Sequence, residues 1–198
     1  MIKNRTQFYF IRHGETEHNR TGLFAGTTDV PLNATGLAQA QNAAQLLRNF
    51  HFKTIIASPM QRAWKTAQII GSHVGLEPLP IEDLRECGLG TMEEKPYMAT
   101  ESWVDYVQRW KQGFTHEGAE SYQDFAQRVV RGVNDALAYE GPVLVVAHGG
   151  VGSILWHALG AEAVTMHNAT PYRLQPHSVH ETQWLIEQLS HHSFDEEV

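Results

Sequence analysis

The chain's 198 residues, 42% of them hydrophobic and 19% charged, suffice for a full buried core and exclude wholesale disorder. A net charge of -7 argues against nucleic acid or an anionic membrane as partner, because both select basic surfaces; an anionic small molecule would need a local basic pocket. The single cysteine, Cys87, leaves no internal disulfide and no cysteine-based zinc site, so a reducing, cytoplasmic setting is expected.

Met1 to Thr6 is polar, the apolar run behind it is too short for a signal peptide, and no later stretch is fit to cross a bilayer. Phe8-Tyr9-Phe10-Ile11 reads as a strand buried on both faces, and it ends in Arg12-His13-Gly14-Glu15-Thr16. Residues just past the carboxyl end of such a strand face the crevice where open α/β sheets bind ligands. Glu17 to Pro31 is polar and aperiodic and reads as a loop. Leu37, Ala40, Ala44, Leu47 and Phe50 then recur at helical spacing behind Asn33 or Thr35 as cap. Lys53 to Ala57 predicts a second strand, and Ser58-Pro59 starts a helix over Met60 to Val74 that Gly75 closes.

Pro78 to Ile81 predicts a short strand, and Asp83 to Pro96 an irregular acidic loop of the kind that lines active sites. Tyr97 to Gly113 predicts an amphipathic helix carrying Trp103, Tyr106, Val107 and Trp110; at this spacing packing is favoured over a substrate lid. Ser121 to Asp124 forms a capping box for a helix reaching Tyr139. Val143 to Ala147, the most hydrophobic strand, ends in His148-Gly149-Gly150, with a helix over Val151 to Leu159. Tyr172 to Pro176 and Val179 to Gln188 read as two late strands, and 190–198 as a polar, frayed tail. Nothing resembles a linker or a repeat, so a single domain over 1–198 is expected.

Two of these strands end in histidine followed by glycine, and a third leads into a helix with Arg62 in its first turn. In a mostly parallel sheet all three ends share one edge. Arg12, Arg62, His13 and His148 would then converge into a pocket for a tetrahedral dianion. Taken singly, each has a plainer reading: His13 and His148 as strand-end histidines, Arg62 as a surface ion-pair partner. His73, His116, His157, His167, His177, His180, His191 and His192 show no metal-ligand spacing.

Several patterns coincide in order: Arg12-His13-Gly14-Glu15-Thr16 with Asn19; Phe24-Ala25-Gly26, Asp29, Pro31-Leu32, and Gly36 with Gln39-Ala40; Ser58-Pro59-Met60-Gln61-Arg62-Ala63 with Thr66-Ala67. Leu84-Arg85-Glu86 with Gly90 and Glu93, Gly118-Ala119-Glu120-Ser121, and His148-Gly149-Gly150 complete the set. Over Phe8 to Leu159 the chain resembles the histidine phosphatase superfamily, phosphatase branch. The resemblance implies an α/β fold, a three-layer α/β/α sandwich with a mainly parallel central sheet, phosphoglycerate mutase-like.

By the same resemblance His13 is the nucleophile that becomes a phosphohistidine, Arg12, Arg62 and His148 hold the phosphoryl oxygens, and Glu86 is the general acid. Asn19, Thr16, Gly26 and Gly149 are the implied substrate-binding positions. For Thr16 a turn-stabilising role stands equally beside a phosphate contact, and Glu15, Glu93 and Glu94 are nearby rivals of Glu86. Ala25 departs from the hydroxyl residue that some relatives, the mutases among them, carry there. No cofactor and no metal are implied. The expected activity is hydrolysis of a small-molecule phosphate ester, because the stretch from Glu86 to Ser121 is compact where the mutases carry a longer basic insertion. A phosphoglycerate mutase and a non-catalytic phosphate-binding module are the alternatives, and a homodimer stays open.

Overall fold

The computed structural model describes residues 1–97, 103–161, 166–178 and 183–190. The elements run β1 (Phe8–Arg12), α1 (Glu17–Thr21), α2 (Ala34–Leu47), β2 (Thr54–Ala57), α3 (Gln61–Val74) and β3 (Leu79–Pro80). They continue as α4 (Trp103–Lys111), α5 (Tyr122–Ala136), β4 (Val143–Ala147), α6 (Gly149–Ala158), β5 (Pro171–Pro176) and β6 (Trp184–Gln188). The strands form one six-stranded sheet in the order β3-β2-β4-β1-β5-β6. β1, β2, β3 and β4 are mutually parallel, while β5 and β6 are antiparallel additions at one edge.

Period-two alternation sorts the central strands into two cores. Phe8 and Phe10 of β1, with Val143, Val145 and Ala147 of β4, face α5 and α6 through Phe125, Val129, Val133, Leu155 and Trp156. Tyr9 and Ile11, with Leu144 and Val146, face α2 and α3 through Ala40, Ala44, Leu47, Ala67 and Ile70. Phe8, Phe10 and Ile11 are fully buried, each contributing roughly 1.5–3 kcal/mol. The two-sided burial is the reason these strands read as unbroken apolar runs. It also gives the three layers expected.

The chain leaves β1 for α2 on one face and leaves β4 for α6 on the other. Because β1 and β4 are neighbours, paired from Tyr9↔Leu144 to Arg12↔Ala147, a crevice opens between their carboxyl ends.

Several elements differ from expectation, among them α5, which ends at Ala136 and not at Tyr139. Residues 17–21 are a turn of helix, because Thr16 and Asn19 cap it reciprocally and Gly22 closes it at φ 69°. α2 stops before Phe50, whose ring instead stacks on Phe52 at 5.8 Å. The strand expected over 78–81 shrinks to two exposed residues at the sheet edge. The cap of α2 is Asn33, whose side chain accepts from Gly36 N at 2.8 Å. Tyr106 and Trp110 are buried in the core, as packing residues should be. The start of the helix expected from Tyr97, the first part of the strand from Val179, and nearly all of the tail fall outside the described residues. Among the described residues, no helix is long and apolar enough to cross a membrane.

Candidate active site

His13 and His148 are the first residues beyond β1 and β4, and the strand register brings their rings to 5.3 Å between centroids. Each is buried, with 3% and 0% of its surface exposed. Backbone bonds fix the height of the pair: His13 N donates to Ala147 O at 3.0 Å and Ser58 N to Val146 O at 3.0 Å. Parallel pairing thus gathers the ends of β1, β2 and β4 on one edge.

The hydrogen bonds assign a tautomer to each ring. His13 Nδ1 lies 2.6 Å from the Gly14 carbonyl oxygen, which can only accept; the proton is therefore on Nδ1, and Nε2 keeps its lone pair. Ser58 Oγ accepts from Met60 N at 3.3 Å and meets His148 Nε2 at 2.7 Å. The Ser58 hydroxyl has no other acceptor within reach, so we take it to donate to His148 Nε2, which leaves the His148 proton on Nδ1. That Nδ1 is buried without a partner, as is Nε of Arg12. Two buried donors that no protein group satisfies thus stand beside a nitrogen lone pair, and an anion between them would satisfy both.

Arg62 is 1% exposed, and its guanidinium donates to Thr28 O at 3.0 Å and Gly26 O at 2.9 Å. Burial disfavours its charged form, while Glu86 and then Asp29 oppose that effect. Arginine stays cationic in such settings. Arg12 is steered by its Nη1 donating to Met166 O at 3.0 Å. For His13, burial first, then the cations Arg62 and Arg12, push the pKa well below its ordinary value; burial and Arg62 do the same for His148. Both imidazoles are accordingly neutral at neutral pH.

The carboxyl of Glu86 sits at the N-terminus of α6, where Oε2 accepts from Gly150 N at 3.0 Å and Oε1 from Cys87 N at 3.0 Å. A Cβ at Gly150 would collide with Oε1, so the glycine makes room for the carboxylate. Its rival Glu93 accepts five hydrogen bonds of 2.8 to 3.1 Å, from the amides and hydroxyls of Thr27 and Thr28 and from Leu89 N. Burial alone would raise the Glu93 pKa, but those donors outweigh it and hold the group ionised. It is a loop staple. Glu15 accepts from Asn33 Nδ2 at 2.8 Å. Burial drives the Cys87 thiol pKa upward, which makes it inert packing.

Of the implied substrate-binding positions, Thr16 is fully buried and its hydroxyl accepts from Asn19 N at 3.2 Å, which commits it to the cap of α1. Asn19 Oδ1 accepts from Thr16 N at 3.1 Å and Asn168 Nδ2 at 3.3 Å, so its own amide group is the donor it has left. Gly26 has φ 52° and presents its carbonyl to Arg62, a supporting position for that cation. Gly149 opens α6 beside Arg12, where a Cβ would lie 3.5 Å from Nε, an ordinary contact that does not itself require glycine.

Sequence reading did not single out Ser58, Thr66, Asn168 or Arg128 for roles. Thr66 Oγ1 accepts from Gly14 N at 3.1 Å while donating to Arg62 O at 2.7 Å, tying the His13–Gly14 turn to α3. Asn168 donates to His13 O at 2.9 Å and so braces the same turn from the segment just before β5. Nothing in the stretch before β5 signals this. Among the described residues, no group of three or more His, Cys, Asp or Glu is placed to hold a metal ion.

Comparisons with known proteins point to one family. The sequence model of the histidine phosphatase superfamily (branch 1) matches residues 8–193. A phosphatase of Bacillus subtilis (strain 168), PhoE, is 32% identical over 148 residues, covering 73% of this chain and 72% of that protein. The adenosylcobalamin/alpha-ribazole phosphatase of Escherichia coli (strain K12) is 33% identical over 157 residues, covering 75% and 76%. The native structure of a mycobacterial glucosyl-3-phosphoglycerate phosphatase superposes with a TM-score of 0.77 at 26% identity, covering 92% of this chain and 97% of that one. The chain therefore belongs to the histidine phosphatase superfamily and is a phosphoric monoester hydrolase of that type.

Proposed function

We propose that the protein hydrolyses a small phosphorylated metabolite with an alcohol leaving group, through a phosphohistidine on His13. The observation that carries this reading is the free Nε2 lone pair of His13, enforced by the Nδ1 contact to Gly14 O and flanked by the unpartnered donors of Arg12 and His148. The alpha-ribazole and glucosyl-3-phosphoglycerate phosphatases among its relatives support a phosphorylated alcohol as substrate class.

In this reading Nε2 attacks phosphorus in line and the phosphorus–oxygen ester bond breaks. Arg12, Arg62, His148 Nδ1 and the Asn19 amide hold the equatorial oxygens as charge shifts in a loose transition state. The Glu86 carboxyl gives its proton to the departing alkoxide. Water then enters on the same side, the Glu86 carboxylate takes its proton, and phosphate leaves as the nitrogen–phosphorus bond breaks; the neutral imidazole is restored. No step calls on a metal ion.

The test is chemical trapping. Mixing the protein with a ³²P-labelled aryl phosphate and quenching in alkali should leave label on the peptide containing His13. Turnover without label there, or unchanged turnover in His13→Ala, overturns the covalent route. Phosphate release, set against interconversion of 3- and 2-phosphoglycerate, separates the hydrolase from the mutase alternative.

A further inference from the structure

Glu86 lies in a segment that no strand supports: between β3 and α4 the described chain forms only two single 3₁₀ turns, Glu82–Leu84 and Gly90–Met92. Backbone bonds to other stretches begin at Gly88, whose carbonyl accepts from Glu120 N at 2.8 Å, and continue at Thr91, whose N donates to Glu117 O at 3.0 Å; residues 83–87 are left to side chains. Arg128 on α5 makes five hydrogen bonds there, one for each N–H of its guanidinium. Nε and Nη2 grip the Glu120 carboxylate at 2.9 and 2.7 Å, as a bidentate pair. Nη1 donates to the carbonyls of Asp83 at 3.0 Å and Arg85 at 2.8 Å, and Nη2 to the carbonyl of Glu86 at 3.3 Å. Glu120 in turn accepts from Gly88 N at 3.4 Å. The guanidinium carbon stands 4.9 Å from the centre of the Phe125 ring, and Phe125 is fully buried.

Three carbonyl oxygens from one loop thus point at a single cation, where without it their dipoles would repel one another. Glu86 is pinned at both ends, by Arg128 at its carbonyl and by Gly150 N at its carboxylate. With all five donors committed, Arg128 has none left for a phosphoryl oxygen.

We propose that Arg128, locked by Glu120, is a positioning residue for proton transfer: it sets the path of residues 83–88 so that the Glu86 carboxyl stays within reach of the leaving oxygen. The inference rests on Glu86 being the general acid. Lysine at 128 keeps the charge but, as a point donor, cannot bind the carboxylate and three carbonyls together.

The discriminating measurement is kcat/KM on glycerol 2-phosphate, whose alkoxide needs a proton, against 4-nitrophenyl phosphate, whose phenolate does not. It is made alongside the inhibition constant of inorganic phosphate and a thermal melt. Arg128→Lys should lower the alkyl rate about tenfold more than the aryl rate, a part of the full value of acid catalysis, with phosphate inhibition unchanged within about twofold. Glu120→Gln should shift the ratio in the same direction by less, and it carries the test if Arg128→Lys does not fold. Equal losses on the two esters, or losses that track weakened phosphate inhibition, overturn the proposal and leave Arg128 a stabilising tie. Glu86→Gln is measured in parallel. If it fails to discriminate between the esters, the assignment of the acid has failed; if it discriminates and the Arg128 and Glu120 variants do not, only the clamp has failed.

Discussion

His13 and His148 follow directly on two paired strands, and backbone hydrogen bonds set their separation before any side chain is considered. Glu86, which in our reading must meet the same phosphorus atom's leaving group, stands on a loop stapled by Glu93 and Arg128. One half of the site is built by sheet register, the other by charged side chains that each collect several backbone groups. A register cannot drift without unpairing the sheet, whereas a stapled loop can be displaced by one substitution. The nucleophile half should therefore fail all or nothing, and the acid half by degrees and according to the leaving group.

The largest effect expected is that of His13→Ala, which should lower phosphate release from aryl and alkyl esters alike by about 10⁴-fold or more. Glu86→Gln should cost about 10²–10⁴-fold, and chiefly with the alkyl ester. Similar leaving-group profiles for the two variants would break the comparison.

Next comes pH. The pKa values of His13 and His148 lie well below the ordinary 6.5, through burial first and then Arg62. Below pH 6.5 the unfolded chain binds protons that the folded one refuses, so stability is full above that value and falls as pH drops toward the folded pKa values. The slope should approach about 1.4 kcal/mol per pH unit for each histidine. Denaturant titrations between pH 7 and 5 should show it, and His148→Gln should remove about half of this component. An unchanged slope would mean that these rings are not the groups refusing protons.

Gly36→Ala tests the backbone contact between α2 and the turn that follows His13. A Cβ at Gly36 would strike the carbonyl oxygen of Glu15, and one at Gly14 the carbonyl oxygen of Gly36. Neither partner is a side chain that can swing away, so Gly36→Ala should cost about 1–3 kcal/mol by denaturant unfolding. A neutral result would show the turn to be looser than the register implies.

The smallest effect sharpens the picture of the acid half. Glu93→Gln loses one of two acceptor oxygens and should cost about 1–2 kcal/mol. Because Glu93 holds Thr27 and Thr28, and the Gly26 and Thr28 carbonyls hold Arg62, this variant should also weaken phosphate inhibition modestly. Hydrogen exchange of residues 24–28 and 88–95 should quicken without change in β1 or β4.

Much of this was legible in the linear chain. Phe8 to Ile11 and Val143 to Ala147 announced the central strands, since burial on two faces tolerates only apolar residues, and the His-Gly endings marked the crevice. Ser121 declared its cap by local chemistry, while Asn33 was one of two candidates that the folded chain had to decide between. The α1 turn escaped notice because five residues offer no periodicity, and Glu93 could not be told from a solvated carboxylate because its five donors come from two other stretches.

The sequence by itself determined the apolar strands, their histidine–glycine ends and which side chains stand there, because periodicity and residue chemistry are local properties, whereas the layers and the phosphoryl roles came from the resemblance of its ordered motifs to one family. Only the tertiary structure decided that β4 inserts beside β1, that His13 Nδ1 faces the Gly14 carbonyl, that Glu93 is committed to Thr27 and Thr28, and that Arg128 and Asn168 reach across the molecule to residues 83–86 and the His13 turn. Those are matters of which distant hydrogen-bond partners remain once every buried donor and acceptor has been matched, and that matching exists only in the folded chain.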